Sequence, residues 1–142
     1  MAEATPRRLI ALREAIRDLS RPEARDADRL LTDRVLRAAV ERWLQVAIEA
    51  CIDLATAVIA EEGWTPPEHA RSAFKTLAAH GLIAPELARK LGSAAGLRNL
   101  IVHDYADLDV DRMALVVAHD VADLEAFADV MARRLAASAK AE

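Results

Sequence analysis

Aromatic side chains are scarce in this sequence, and β-branched residues are thinly spread along it. Phe, Trp and Tyr together make up only 4% of the 142 residues, and much of the apolar content is alanine. β-Sheets are usually built from aromatic and β-branched side chains, whereas alanine is the strongest helix former. The composition therefore argues against a sheet and predicts an all-α protein that is long enough to enclose a core.

Cysteines and long apolar segments are scarce as well. Cys51 is the only cysteine, which excludes an intrachain disulfide and fits a reducing compartment. No uninterrupted apolar run reaches the roughly 18 residues that a membrane span requires. Residues 1–8 are charged and lack the apolar segment of a secretory signal. These absences predict a cytoplasmic protein with no membrane association.

The signatures of several catalytic classes are missing too. The sequence has no glycine-rich phosphate loop and no G-x-S-x-G nucleophile motif. Its histidines do not stand at metal-ligand spacing with carboxylates or with the cysteine. These histidines are His69, His80, His103 and His119. We therefore predict no metal site and no cofactor.

Acidic residues outnumber basic ones, and the excess is unevenly distributed. The net charge is −4 overall, but residues 1–42 carry +2 and residues 43–142 carry −6. Between positions 104 and 129 there are eight acidic residues and one basic residue, Arg112. A general nucleic-acid binder would usually be basic. An anionic substrate would therefore be held by a few placed cations rather than by a broad positive field.

Apolar spacing predicts an up-and-down bundle of about five helices with one long central helix. The first helix ends near Leu19, and Ser20, Pro22 and Glu23 suggest a capping box in the charged connector that follows. The long helix is expected from Thr32 to Glu62, and Gly63 should end it. We expect one domain over 1–142, with a short helix and connector over 1–31 and the core bundle over 32–136.

The remaining three helices are predicted from capping residues. Thr65 with Glu68 should begin the third helix, and Gly81 should end it. The fourth helix should begin around Pro85. A fifth helix should follow either of two capping aspartates and fray beyond Ala136; these aspartates are Asp107 and Asp109.

The predicted long helix also carries a narrow line of polar residues, which we call the polar seam. It consists of Arg42, Gln45, Glu49, Asp53 and Thr56, at spacings of three and four. Such a line is typical of a solvated helix face with weak intrahelical pairs. Alternatively, it faces the segment around position 100, and Arg42, Glu49 and Asp53 support a site there. The spacing slightly favours the solvated face.

Residues 96–105 contain the strongest candidate for chemistry. Arg98, His103 and Tyr105 lie within eight residues of an otherwise apolar helical run. On an ideal helix Arg98 and His103 are about 140° apart, whereas Asn99 shares a face with His103. Arg98 and His103 thus flank a groove from two sides, or belong to a site that a second subunit completes. A lone histidine near a helix end is more often structural.

The residue types fit the cleavage of an RNA phosphodiester without a metal. Such a reaction needs a base that activates the 2′-hydroxyl, and the ordinary pKa of histidine near 6.5 suits His103 to this task. It also needs a cation that stabilises the pentacovalent phosphorane, and the permanently charged fork of Arg98 suits that task.

Two glycines lie four residues apart just before this segment. Gly92 and Gly96 would each cost about 1 kcal/mol inside a helix. A close approach by another element would offset this cost. The approaching element could be the long helix, a second subunit or a nucleic-acid strand, and we expect helix packing.

Several parts of the sequence together resemble the HepT-like toxins of the HEPN superfamily. Residues 96–105 match the R-N-x3-H-x-Y pattern at every motif position. Residues 39–55 resemble the long second helix of that family, and residues 74–83 resemble its third helix. The resemblance extends from about position 32 to position 135. The first thirty residues fit only in being a short helix and a charged connector.

The resemblance implies a helical-bundle ribonuclease that needs no metal. It implies a homodimer in which two motifs line a shared cleft, and a minimal nucleotidyltransferase antitoxin as partner. Arg98 would stabilise phosphate and His103 would act as acid and base. Asn99, Asp104 and Tyr105 would support or orient the RNA substrate. Tyr105 would also accept AMP from the antitoxin, which would add negative charge to the cleft.

Two functions therefore remain open from the sequence. The first is a toxin that cleaves cytoplasmic RNA, and the intact set of Arg98, His103 and Tyr105 favours it. The second is a non-catalytic helical subunit that binds a nucleotidyltransferase or a nucleotide. The negative net charge and the absence of a broad basic face give this second function some support.

Overall fold

A computed structural model describes the backbone of residues 4–103 and 110–141, and the side chains of residues 5–97 and 110–140. This part of the chain contains six α-helices, one short 3-10 helix and no strand. The α-helices are α1 (Ala4–Leu19), α2 (Ala27–Thr32), α3 (Arg34–Glu62), α4 (Ala70–Ala79), α5 (Pro85–His103) and α6 (Val110–Ala141). The all-α prediction is confirmed, with one helix more than expected.

The additional helix, α2, forms in the charged connector. Asp26 accepts a hydrogen bond from the backbone N–H of Arg29, and Leu30 is buried against the core. The capping box predicted at Ser20 is wrong, because the Ser20 hydroxyl donates to the carbonyl of Ile16 instead. Residues Pro22–Arg25 form the 3-10 helix without a side-chain cap. The carboxylate caps at Asp26, before α2, and at Asp33, after it, therefore organise this segment, rather than a continuous apolar stripe.

Helix α3 is the spine of the bundle. It begins at Arg34, two residues later than predicted, because the Asp33 carboxylate accepts from the N–H of Leu36 and caps the first turn. Gly63 ends it in the left-handed conformation, at a φ of 73° that favours glycine. Helices α1, α2, α4, α5 and α6 all pack against it. The predicted long central helix and its terminator are confirmed.

The start of α4 differs from the prediction. Thr65 does not cap this helix, which begins at Ala70; the Nδ1 atom of His69 instead accepts a hydrogen bond from the N–H of Ser72. Histidine is not a usual capping residue, so the sequence pattern favoured the wrong position. Gly81 follows the helix with a φ of 77°, as predicted. The ring of His80 stacks on Trp64 at 3.6 Å, which joins the ends of α3 and α4.

Helix α6 spans the length of the bundle. It continues to Ala141, so the expectation of fraying beyond Ala136 is wrong. Arg13 and Asp129 pair α1 with α6 at 3.1 Å, and Arg134 pairs α6 with Glu61 at the end of α3. The capping aspartates predicted for this helix, Asp107 and Asp109, lie outside the described residues.

One apolar cluster fills the space between the helices. Phe74 of α4 meets Phe127 of α6 edge to face, with ring centroids 5.8 Å apart. Leu54 and Cys51 of α3 are buried in the same cluster, and burial raises the pKa of the Cys51 thiol. Helix α3 is long and apolar enough to cross a membrane by composition alone, but half of its most apolar stretch is buried inside the bundle.

Candidate functional site

Positions 98–103 form the last part of α5. The backbone is helical through His103, so the angular relations expected from the sequence apply: Asn99 and His103 share a face, and Arg98 is offset from it. The side chains of Arg98, Asn99 and His103 lie outside the described residues, as do Asp104 and Tyr105 entirely. The roles assigned to these five residues therefore stay predictions.

The preceding turns of α5 anchor this segment firmly. Leu91, Ala94, Ala95 and Leu97 are buried, and the helix packs against α3, α4 and α6. Lys90 also pairs with Asp123 of α6 at 3.6 Å. A catalytic group on the continuation of such a helix has a well-fixed backbone, which is what catalytic positioning requires.

The polar seam of α3 makes contacts of two kinds. Asp53 is exposed and pairs with Arg8 of α1 at 3.5 Å. Glu49 is partly buried and accepts a hydrogen bond from the Gln45 amide at 3.5 Å. Arg42 is exposed. The described partners of Asp53 and Glu49 thus belong to α1 and α3, and the supporting role of Arg42, Glu49 and Asp53 stays a prediction.

The side chain of Arg71 lies close to one of the two glycines of α5. A Cβ atom built on Gly92 would lie 3.0 Å from Cγ of Arg71, and one on Gly96 would lie 3.9 Å from a guanidinium nitrogen. Arg71 belongs to the first turn of α4, and its side chain lies along α5 over Gly92 and towards Gly96. Gly92 thus makes room for an arginine side chain, whereas a Cβ on Gly96 would make only an ordinary van der Waals contact. The nearest described atoms belong to Arg71 and not to the backbone of another helix, which was the expectation.

Arg71 also belongs to a groove between α4 and α5 that sequence reasoning missed. The groove has a volume of about 550 Å³. Its charged lining residues are Arg71, Lys75 and Arg89, and most of its other lining residues are alanine. Arg89 is engaged by Glu86, whose carboxylate accepts from its Nε at 3.1 Å; this hydrogen bond lowers the pKa of Glu86. The spacing of Arg71 and Lys75, at i and i+4 on one helix, was the available signal.

A second, smaller groove lies between α5 and α6. Arg89, Lys90, Arg112 and Asp120 contribute its charged groups. Burial raises the pKa of Asp120 to about 6, and the neighbouring Asp123 carboxylate adds to this effect, against His119 and Lys90. Within the described part of the chain, no group of histidine, cysteine and carboxylate side chains is arranged to hold a metal ion.

The fold and sequence match known proteins of one class. Residues 12–131 match the family described as "Ribonuclease HepT-like". The mRNA nuclease HepT of Shewanella oneidensis is 37% identical over 106 residues, which cover 75% of this chain and 80% of that protein. The tRNA nuclease HepT of Aphanizomenon flos-aquae is 30% identical over 78 residues, which cover 55% of this chain and 53% of that protein.

A solved structure agrees with these sequence matches. The tri-AMPylated Shewanella oneidensis HEPN toxin, in complex with its MNT antitoxin, superposes with a TM-score of 0.84 at 31% identity. The match covers 94% of this chain and 99% of that toxin. The helical bundle, with the arginine and histidine positions of the motif at the end of α5, thus defines a HEPN-class helical protein.

Within that class, the chain belongs to the HepT-like ribonuclease family. The resemblance inferred from residues 39–55 and 96–105 is confirmed, as is the class of toxin ribonuclease that it implied.

Proposed function

We propose that this protein is the toxin of a toxin–antitoxin pair and cleaves RNA in the cytoplasm without a metal ion. The observation that carries the proposal is the complete R-N-x3-H-x-Y pattern in the sequence, whose first part, through His103, continues a helix that packs against α3, α4 and α6. A purely structural or docking helix has no need for arginine, histidine and tyrosine together at these positions.

The reaction assigns a role to each motif residue. The imidazole of His103 takes the proton of the 2′-hydroxyl, and the 2′-oxygen forms a bond to the adjacent phosphorus. The guanidinium of Arg98 stabilises the charge that develops on the phosphorane oxygens. The bond from phosphorus to the 5′-oxygen breaks, and that oxygen takes up a proton. The products are a 2′,3′-cyclic phosphate and a 5′-hydroxyl, while Asn99, Asp104 and Tyr105 orient the substrate.

The angular offset within α5 supports a homodimeric site. Arg98 and His103 are about 140° apart around the helix, so they face one small group less readily than residues at i and i+4 would. Two copies of the motif across a shared cleft would supply an arginine and a histidine from opposite sides of the scissile phosphate.

A nucleotidyltransferase is the proposed antitoxin, and Tyr105 is its proposed target. The phenol oxygen of Tyr105 would attack the α-phosphate of a nucleoside triphosphate, with pyrophosphate as leaving group and loss of the phenol proton. The resulting adenylate adds negative charge and bulk two residues from His103, which would exclude RNA from the cleft. The AMPylated state of the Shewanella oneidensis toxin supports this proposal.

Expression without a partner tests the ribonuclease proposal. Wild type should arrest growth and degrade cellular RNA, whereas His103→Ala should be harmless at equal protein level, since general acid–base groups contribute about 10²–10⁴-fold to rate. Purified wild type should cleave RNA equally well in EDTA. A wild type that leaves growth and RNA intact would refute the proposal and leave the non-catalytic subunit as the better account.

Intact mass after coexpression with a nucleotidyltransferase of the MNT type tests the antitoxin proposal. We expect a mass gain of one or more AMP groups that disappears in Tyr105→Phe. A mass gain that persists in Tyr105→Phe would place the modification on another residue, and no gain at all would contradict AMP transfer.

A further inference from the structure

The groove between α4 and α5 has features that the motif chemistry does not use. Arg71 and Lys75 lie one turn apart on α4 and both line it. Among side chains of residues 5–97 and 110–140, no carboxylate pairs with either cation, whereas Arg89 is held by Glu86. The net charge of the chain is −4, so these two cations are placed charges rather than part of a broad positive field. Their positive charge is available to an anionic ligand.

The stem of Arg71, although the residue is exposed, lies against the backbone of α5. Gly92 is buried beneath Arg71 Cγ, and two glycines inside a helix cost about 1 kcal/mol each. Laying the apolar stem over glycine holds the guanidinium near Gly96 and reduces the rotamer freedom that an exposed arginine would lose on binding. Arg71 is thus pre-positioned, unlike an ordinary surface arginine.

Positions 99 and 103 of the motif lie on the face of α5 that carries Gly92 and Gly96, whereas Arg98 is offset from that face. Positions 92, 96, 99 and 103 follow each other at spacings of four, three and four, so they form a single line along the helix. At about 1.5 Å per residue, position 103 lies about 10 Å along the axis from position 96. Helix α4 runs antiparallel to α5, since Arg71 adjoins Gly92 and Gly96 while Ala79 adjoins Pro85. The Arg71 end of the groove is therefore its end nearest the motif.

The lining of the groove favours phosphate over bases and over a protein partner. No aromatic residue is among its lining residues in the described part of the chain, so nucleobases find no stacking surface among them. Its apolar lining residues are small, namely alanines and Pro85. The large exposed hydrophobic side chains of the described part of the chain are Ile10, Leu31, Val35 and Leu115, which lie on α1, α2, α3 and α6. A protein partner would find its apolar anchors there and not in this groove.

We propose that the α4–α5 groove binds the phosphate backbone of the substrate RNA one or more nucleotides away from the cleaved bond. Arg71 is the principal contact and Lys75 the second. This inference rests on the proposed ribonuclease function and extends it, because a phosphate held about 10 Å from the level of His103 orients the strand across the motif. The binding is independent of sequence, since phosphate contacts carry no base information.

Binding of a labelled single-stranded RNA of mixed sequence, measured by fluorescence anisotropy in a His103→Ala background, tests the proposal. Arg71→Gln should weaken binding about three- to fivefold, and Arg71→Gln with Lys75→Gln about tenfold or more. The slope of log K against log salt should fall by about 0.7 for each lost phosphate contact. Unchanged affinity and slope in the double variant would overturn the proposal.

Arg29→Gln is the matched control for charge. It removes one exposed cation from α2, which packs on α3 and α6 and, within the described residues, does not contact α4 or α5. We expect it to leave the affinity and the salt slope nearly unchanged. If Arg29→Gln and Arg71→Gln lose the same RNA affinity, only the net charge of the protein matters. That result would contradict a specific contact between Arg71 and the RNA.

Gly92→Ala tests the placement of Arg71 without any change of charge. Its new Cβ would meet Arg71 Cγ at 3.0 Å and force the side chain to move, while alanine favours the helix. RNA affinity should fall about twofold with no loss of thermal stability. Retained affinity with normal stability would show that the position of the guanidinium is unimportant and would refute pre-positioning.

Cleavage assays separate this inference from the proposed function. In an otherwise wild-type chain, Arg71→Gln should slow the cleavage of a long RNA at limiting substrate and leave the cleavage of a dinucleotide unchanged, because the dinucleotide does not reach the groove. If the wild type binds RNA through Arg71 but cleaves no RNA, the proposed ribonuclease function is refuted, whereas the proposed RNA binding in the groove is retained. Loss of MNT antitoxin binding in Arg71→Gln, with RNA binding intact, would assign the groove to a protein instead.

Discussion

Helices α3 and α5 pack against each other but differ in composition and in what their residues contact. The interior of α3 contains no glycine or proline, and ten of its 29 residues are buried. Helix α5 contains two glycines, and one of these, Gly92, accommodates a side chain of α4. It also ends in the R-N-x3-H pattern. In α3 the sequence maximises helix stability and core contact. In α5 the sequence includes two glycines, which lower helix stability but allow charged groups to be placed against the helix. The difference indicates that α3 specifies the fold and α5 carries the function.

Truncation of the α3 core should have the largest effect on stability. Leu54 is completely buried, so Leu54→Ala should lower the free energy of unfolding by about 2–5 kcal/mol. Urea unfolding followed by circular dichroism measures this loss. Thr56→Ala, on the exposed face of the same helix, should change stability by less than about 0.5 kcal/mol. Similar losses in both variants would contradict the assignment of α3 as the core helix.

Removal of the motif arginine should affect rate rather than stability. Arg98→Ala should reduce kcat/KM for RNA cleavage by about a hundredfold, equivalent to about 2.7 kcal/mol of lost transition-state stabilisation. Arg98→Lys should recover only part of this loss, because an ammonium group lacks the bidentate fork. Single-turnover cleavage and thermal unfolding, measured on the same samples, check both statements. Normal cleavage by Arg98→Ala would contradict the proposed role of Arg98, and thus of α5, in the cleavage reaction.

The start of α3 depends on a single carboxylate. Asp33→Ala should cost about 1 kcal/mol of stability, because it leaves the N–H of Leu36 without its acceptor. Asp33→Ser restores a capping oxygen and should recover most of the loss. Chemical denaturation of the three proteins decides the matter. A serine variant as unstable as the alanine variant would mean that the charge of Asp33, rather than its cap, sustains the helix.

A partly buried carboxyl between α5 and α6 should give a small, pH-dependent effect on stability. Desolvation raises the pKa of Asp120 to about 6, so the folded protein binds more protons than the unfolded chain between about pH 4 and 6. Stability therefore falls as the pH rises through this window. Asp120→Asn should raise stability at pH 7 by less than about 1 kcal/mol, since water screens the partly exposed group. The gain should vanish at pH 4 in thermal unfolding, and a gain equal at both pH values would exclude titration of Asp120 as its cause.

Much of the architecture was predictable from local patterns. Gly63 and Gly81 end their helices as expected, because a left-handed residue after a helix is a strictly local requirement. The apolar stripe of α3 was visible because burial on one face imposes a period on the sequence. The starts of α2 and α4 were missed. Thr65 and Ser20 have the right chemistry for caps, yet the chain is capped at Asp26 and His69. Several capping residues lie within reach of each start, and packing selects among them.

The candidate site also has one part that was predictable from local sequence and one part that was not. The motif at Arg98, His103 and Tyr105 was found because it is contiguous in the chain and matches a known pattern. The cationic groove was not found, because Arg71 and Gly92 are 21 residues apart and belong to different helices. The glycine pair signalled a close approach, but the sequence offered no means to tell which group approaches.

The sequence by itself determined the helical class, the long spine of α3 and the family to which the motif belongs. These properties follow from composition, from periods of three and four residues, and from short contiguous patterns. Only the tertiary structure decided that Arg71 lies over Gly92, that Asp53 pairs with Arg8, and that Arg71 and Lys75 line a groove between α4 and α5. Such contacts depend on how separate helices are brought together in space, and that arrangement leaves no fixed spacing in the chain.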